Sequence, residues 1–298
     1  MRDQDPPRPL VSVITVTLNA ARFLRATLES VQEQDYPYLE HLVFDGGSTD
    51  GTLELLRDFP RVRLHQGQDR GVADALNQAL ALARGQIITH LHSDDRFAGP
   101  GAVRTAVAAF ARAPDALWLY GHQRKIDAAG ETTLELKSEP RTFRELLHRP
   151  CDIRGIHHQS CFFRRELFDR VGLLDTSYQL TFDLEFIMRA ARDYPPLLVD
   201  EFLSEMRRHP ASLTDRHQVG ILRENLRALR THIVHVPRAE RPGIYLSAVR
   251  SIVTVTVIPV AIKLTFGQRR LAQLARWRTR VEQAVPGLGR LTHAILGY

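Results

Sequence analysis

Sulfur is scarce in this chain, with two cysteines and three methionines in 298 residues. Cys151 and Cys161 form no CxxC pair, and Cys161 sits in the apolar run Cys161-Phe162-Phe163. That spacing argues against a zinc knuckle or disulfide framework and for buried thiols in a reducing compartment. The N-terminal MRDQDPPRPL has no apolar core, so no secretory signal is read there and we expect a cytoplasmic protein. No apolar run has membrane length: Gly243 to Phe266 is broken by Arg250 and Lys263, which leaves twelve residues with Pro259 inside, against the ~20 a spanning helix needs. No GxGxxG follows the first strand-like run, nor does a glycine-rich basic loop. The first absence argues against a dinucleotide oxidoreductase, the second against a nucleotidyltransferase. Acidic residues nearly vanish after Pro237, where ten Lys/Arg face two Glu, a net +8. The formal +6 of the whole chain therefore leaves −2 for residues 1–236, so the positive charge belongs to a tail and is no sign of nucleic-acid binding. We expect a main domain over 1–236 and a helical basic extension over 237–298.

What the chain does have is alternation. Val11–Thr17 is a continuous β-branched run suited to a strand covered on both faces. Ala21–Gln34 has Phe23, Leu24, Leu28 and Val31 at helical spacing and is stopped by Tyr36-Pro37. His41–Phe44, Val62–His65 and Gln86–Leu91 read as further strands, with helices over Thr52–Asp58 and Val72–Ala83, the latter closed by Gly85. Such βαβ units imply an α/β fold with a Rossmann-like, mainly parallel sheet, and a ligand beyond the carboxyl ends of its strands. The second half is less regular. A strand is expected at Ala116–Tyr120, a turn at Asp127–Gly130, and helices at Phe143–His148, Arg165–Val171 and Phe182–Arg192.

Carboxylates stand just after several of these strands, at Asp45, Asp74, Asp94-Asp95 and later Asp183. Acceptor-only groups there suit an imide N–H and ribose hydroxyls, and adjacent acids suit a divalent cation. Taken singly, Asp45 before Gly46 equally suits a turn, Arg70 and Asp74 an i,i+4 ion pair, and Asp183 an acid at a helix N-terminus.

The motifs taken together resemble a known family. Val13-Ile14-Thr15-Val16-Thr17-Leu18-Asn19, Asp45-Gly46-Gly47-Ser48-Thr49-Asp50-Gly51-Thr52, Asp69-Arg70-Gly71-Val72-Ala73-Asp74-Ala75-Leu76-Asn77, Ser93-Asp94-Asp95, His158-Gln159 and Asp183-Leu184-Glu185 follow in an order similar to that of inverting family 2 glycosyltransferases of the GT-A fold, of the bacterial polysaccharide-biosynthesis type. The resemblance spans roughly residues 10 to 215. It implies transfer of a sugar from a nucleotide-diphosphate donor, UDP-linked by preference, to a hydroxyl of a glycan or lipid-linked acceptor, with Mg²⁺ or Mn²⁺ as cofactor. It also implies residue roles. Thr17, Asn19, Asp45, Arg70, Asp74 and Asp94 would hold the nucleotide sugar, and Asp95 the metal, with His209 a second candidate ligand. Asp183 would be the general base with Glu185 in reserve, and His158 and Gln159 would line the acceptor side. Two positions depart from the common pattern: His92 stands where relatives carry Asp or Asn, and Phe182 where they often carry Glu. These departures keep a non-catalytic sugar-nucleotide binder or membrane scaffold as the alternative, beside the nucleotidyltransferase. The basic residues mixed with Leu and Trp over Gln268–Val281 are expected to lie at an anionic membrane surface.

Overall fold

The computed structural model describes residues 8–253 except 151, 153, 154, 210, 211 and 213–215. The expected membrane-surface helix over Gln268–Val281 and most of the basic extension lie outside these residues. The described chain falls into two compact units. One runs to Thr142 and resumes from Ile156 to Arg216; the other takes Phe143–Gly155 and the chain from His217 on. This division follows packing, whereas the shift at Pro237 follows charge.

The first unit is built on a nine-stranded sheet. Its strands are β1 (Val11–Thr17), β2 (Leu39–Asp45), β3 (Val62–Gln66), β4 (Ile87–His90), β5 (Arg96–Phe97), β6 (Trp118–Ile126), β7 (Thr132–Leu136), β8 (Cys161–Arg164) and β9 (Leu197–Arg207). The order is β3-β2-β1-β4-β8-β6-β9-β5, with β7 on β6. Strands β3, β2, β1 and β4 are parallel, as the alternation predicts. The other half is mixed: β8 runs antiparallel to β4 and β6, while β9 runs parallel to β6. Helices α1 (Ala21–Gln32), α2 (Thr52–Leu56), α3 (Val72–Leu82), α4 (Ala102–Arg112), α6 (Arg165–Val171) and α7 (Phe182–Asp193) belong to this unit. The second unit holds α5 (Phe143–His148), α8 (Gln218–His232) and α9 (Arg241–Ile252).

Both faces of the sheet are covered, and the pleat divides the side chains. Val11, Val13 and Ile87 join Val103, Ala106 and Phe110 of α4 in one core. Ile14 and Ile88 turn the other way, toward Leu76 and Leu80 of α3, Phe168 of α6 and Phe186 of α7. Helix α4 escapes the sequence reading because its buried positions are mostly alanine, at 102, 106 and 109. Strands β7 and β9 were also not expected; both are polar at several positions, and β9 gains its place by pairing along the longer-than-expected β6.

Gly85 works differently from the expected helix cap. Helix α3 ends at Leu82, and the Arg165 guanidinium ties down the chain just past it, with Nη2 donating to Ala83 O at 2.6 Å and Nε to Gly85 O at 2.9 Å. Gly85 is instead a point of close approach: a Cβ there would lie 2.5 Å from the backbone nitrogen of Ser12.

Between β1 and β2, His41 is buried with Nε2 3.0 Å from Thr15 Oγ1, and burial pushes its pKa down to about 3. The unfolded chain binds this proton near pH 6.5 and the fold refuses it until about pH 3. Stability is therefore expected to fall as the pH drops below 6.5, by about 1.4 kcal/mol per pH step from this group. Melting temperatures measured from pH 7.5 to 5 check this, and His41→Asn is expected to flatten the slope.

Candidate active site

The register of β1 and β2 sets Thr17 beside Asp45 at the carboxyl edge of the sheet. Asp45 is fully buried. Its Oδ1 accepts the N–H groups of Gly47 and Ser48 at 3.0 and 2.8 Å, and Oδ2 accepts the Ser48 hydroxyl at 2.5 Å. It shapes its own turn, as Asp before Gly commonly does. Asn19 has φ 52, the one positive value outside glycine among the described residues. Its Oδ1 accepts Thr49 N–H at 2.9 Å while its own N–H donates to Ser48 Oγ at 2.8 Å, so it ties the β1–α1 and β2–α2 loops together. Thr17 Oγ1 is buried at this edge with no hydrogen-bond partner, a state that costs about 1–3 kcal/mol unless a ligand satisfies it.

A carboxylate not singled out from the sequence belongs to the same edge. Asp69 Oδ1 accepts Gly71 N–H at 2.9 Å, and Oδ2 lies against the backbone of Gly46, where a Cβ would come within 2.6 Å of it. The signal was the glycine pair at 46 and 47, which leaves room for an incoming acid. Arg70 and Asp74 instead face each other. Asp74 Oδ2 accepts Arg70 N–H at 3.0 Å and holds the Asp74 pKa below its usual range, while the Arg70 side chain is 83% exposed. Asn77, in the same segment, exchanges two hydrogen bonds with Leu174, at 2.9 and 3.0 Å, and so fixes the approach to α7.

The turn after β4 separates its two acids. Asp94 is partly exposed and its Oδ2 lies 2.9 Å from His209 Nε2. Asp95 is 2% exposed. Its Oδ1 accepts the Arg207 N–H at 2.9 Å, Gln159 hydrogen-bonds its side chain, and burial raises its pKa well above the usual carboxylate value. Asp95, the expected metal ligand, braces β9 against the turn in this structure by accepting a backbone N–H. Gln159, expected on the acceptor side, is buried here, and its Oε1 accepts from Gln123 at 3.1 Å. Arg207 completes the brace, donating from Nε to Asp94 O at 3.0 Å and from Nη1 to Asp127 O at 2.9 Å. The partners left facing one another are the Asp94 carboxylate and the His209 imidazole, a hard and a borderline donor that fit a divalent cation.

Asp183 lies in the first turn of α7, its side chain a quarter exposed, with Oδ2 2.5 Å from His158 Nδ1. Burial works to raise its pKa, but the His158 charge and hydrogen bond, with the Leu184 N–H, outweigh it and hold the group below the ordinary value. His158, in the 3-10 turn His158–Ser160, reaches His92 Nε2 with its own Nε2 at 2.8 Å. Both His158 and Asp183 line a cavity with Phe163, Phe168, Phe182 and Phe186. Phe182, where an acid was common in the pattern, is 5% exposed and packs as part of this wall.

Glu185, the expected reserve base, faces Arg189. It is 5% exposed and holds Arg189 through Nε at 3.1 Å and Nη2 at 2.8 Å, while Arg189 also donates to Leu173 O at 2.8 Å. Glu185→Gln is expected to cost about 1–3 kcal/mol of stability and to leave ligand affinity within twofold. Thermal denaturation and ligand titration of the purified variant check both.

The nine-stranded sheet, with acids gathered at the carboxyl edge of its parallel half, is similar to the fold of the GT-A class. The chain belongs to glycosyl transferase family 2, whose model matches residues 12–172, and it is a glycosyltransferase. It is 35% identical over 202 residues to an uncharacterised glycosyltransferase of Mycobacterium tuberculosis, covering 66% of this chain and 74% of that protein. A PGL/p-HBAD biosynthesis glycosyltransferase of the same species is 30% identical over 200 residues, 65% of this chain and 74% of the other. In fold it is similar to a fragment of S. aureus TarS in complex with UDP-GlcNAc, with TM-score 0.64 and 17% identity over 97% of this chain and 89% of that one. Against the longer TarS chain it spans about half the length, 52%. The mannosyltransferase PcManGT of Pyrobaculum calidifontis, in complex with GDP-Man and Mn²⁺, matches with TM-score 0.60 and 21% identity over 98% of this chain and 86% of that one.

Proposed function

We propose that the protein transfers a sugar from a UDP-linked donor to a hydroxyl of a glycan or lipid-linked acceptor, with inversion at the anomeric carbon. The observation that carries this reading is Asp183, a largely enclosed carboxylate kept ionised by His158 at 2.5 Å beside an accessible cavity. Asp183 takes the acceptor proton as the acceptor oxygen bonds to the anomeric carbon, and the bond to the diphosphate oxygen breaks with its electron pair leaving on the diphosphate. The unpartnered Thr17 Oγ1 and the Asp69 carboxylate serve the nucleoside; Asn19 and Asp45 hold the loops that place them. Arg70 and Asp74 close this end of the donor site as a pair. Asp94 and His209 would hold Mg²⁺ or Mn²⁺, which when bound neutralises the diphosphate. The likenesses to TarS in complex with UDP-GlcNAc and to PcManGT in complex with GDP-Man support a sugar-nucleotide donor. No helix of the described residues is long and apolar enough to cross a membrane; the basic segment after residue 253 is the part we assign to the membrane surface.

Calorimetric titration with UDP, GDP and dTDP, with and without Mn²⁺, tests the donor. Tighter binding of UDP in the presence of Mn²⁺ supports the reading; binding of none of the three overturns it.

A further inference from the structure

Three histidines converge where β4 ends. His90 closes the strand, His92 follows in the turn, and His158 comes from the 3-10 turn before β8; one ring nitrogen of each lies within 4.8 Å of the other two. The Nε2 atoms of His92 and His158 are 2.8 Å apart. The His90 ring stacks on that of His158 with centroids 4.8 Å apart and planes 11° apart, and meets that of His92 edge-on at 4.9 Å.

Two features set this cluster apart from histidines packed as filler. His90 Nε2 is buried and has no hydrogen-bond partner, and its ring faces those of His92 and His158. Such a lone polar atom costs stability unless something binds it. In addition, Asp183 Oδ2 lies 2.5 Å from His158 Nδ1, so that once the ring gives up its extra proton, as a metal ligand must, the remaining hydrogen stays on Nδ1 and the lone pair of Nε2 faces the interior of the cluster. A carboxylate on the far nitrogen is the arrangement that orients a metal-bound imidazole and raises its basicity.

The geometry points to a second cation site in this protein, a transition-metal site with His90, His92 and His158 as ligands and Asp183 as the outer carboxylate. It differs from the Asp94–His209 pair in its donors. Three imidazole nitrogens select Zn²⁺, Co²⁺, Ni²⁺ or Cu²⁺ over Mg²⁺ and Mn²⁺, which prefer oxygen. A tetrahedral ion with bonds of about 2.0–2.1 Å spaces its ligand nitrogens roughly 3.3 Å apart, so the close pair opens a little and His90 draws in by a side-chain rotation. Three protein ligands leave one coordination position for water. The site stands whether or not Asp183 acts as a base in transfer.

The test is titration of the full chain, stripped with chelator, with Co²⁺ and then Zn²⁺. One equivalent of Co²⁺ is expected, with the visible absorption of a four-coordinate nitrogen-rich site, displaced by one equivalent of Zn²⁺ and indifferent to excess Mg²⁺. The Asp94→Asn variant is expected to keep this signal, whereas His90→Phe and His90→Asn lose affinity by at least about tenfold. Melting curves without metal confirm that at least one His90 variant is folded. Absence of the Co²⁺ equivalent in the wild type overturns the proposal. So does a signal that survives in a folded His90 variant, or one that disappears in Asp94→Asn.

Discussion

Asp183→Asn is expected to slow sugar transfer by about 10²–10⁴-fold, the contribution of a positioned general base, while donor affinity stays within twofold. The amide is nearly isosteric and still accepts from His158, so the loss reports proton removal rather than collapse of the wall. The pH dependence separates this role from a structural one. Because Asp183 titrates below the ordinary carboxylate range, the acid limb of the wild-type rate lies below that range as well. In His158→Gln the burial effect is left without the charge that opposes it, and the acid limb moves to higher pH. Initial rates of nucleotide release across pH 4 to 9 for the three proteins check both statements. A wild-type rate in Asp183→Asn would sink the assignment.

The second large effect separates the two neighbouring acids. Asp94→Asn is expected to reduce kcat/KM for the donor by about 10²–10³-fold, since it removes a carboxylate from the Asp94–His209 pair that we propose would hold the cation beside the leaving diphosphate. Asp95→Asn is expected to retain at least half of the activity. Burial already disfavours the charged form of Asp95, and an asparagine oxygen still accepts the Arg207 N–H. Rates at saturating Mn²⁺ with both single variants decide the matter. If Asp95→Asn were the inactive one, the cation would belong on Asp95 and the brace on Asp94.

The comparison of the two acids also shows what could be read from the chain. The parallel half of the sheet was legible because β1, β2 and β4 each carry a β-branched or apolar run and β3 an alternating one, with helices between them, and the register of Thr17 with Asp45 follows from their common position at the strand ends. Asp94 and Asp95 share composition and position. Only the arrival of β9 decides between them, because Arg207 N–H meets Asp95 and His209 meets Asp94, both from more than a hundred residues away. A strand reading LLVDEFLSEMR, with charges at several positions, gives weak periodicity. Glu185 illustrates the same limit: the Arg189 clamp on it depends on the carbonyls of Val171 and Leu173, which its own helix does not reveal. Asp69 was passed over because its partner is a missing side chain at Gly46.

The most direct test of the central claim is the anomeric configuration of the product formed by purified protein from an α-linked UDP-sugar, Mn²⁺ and a detergent-solubilised lipid acceptor, read by proton NMR. The account predicts a β-glycoside whose formation stops in Asp183→Asn. An α-glycoside, or transfer that persists in that variant, would contradict it.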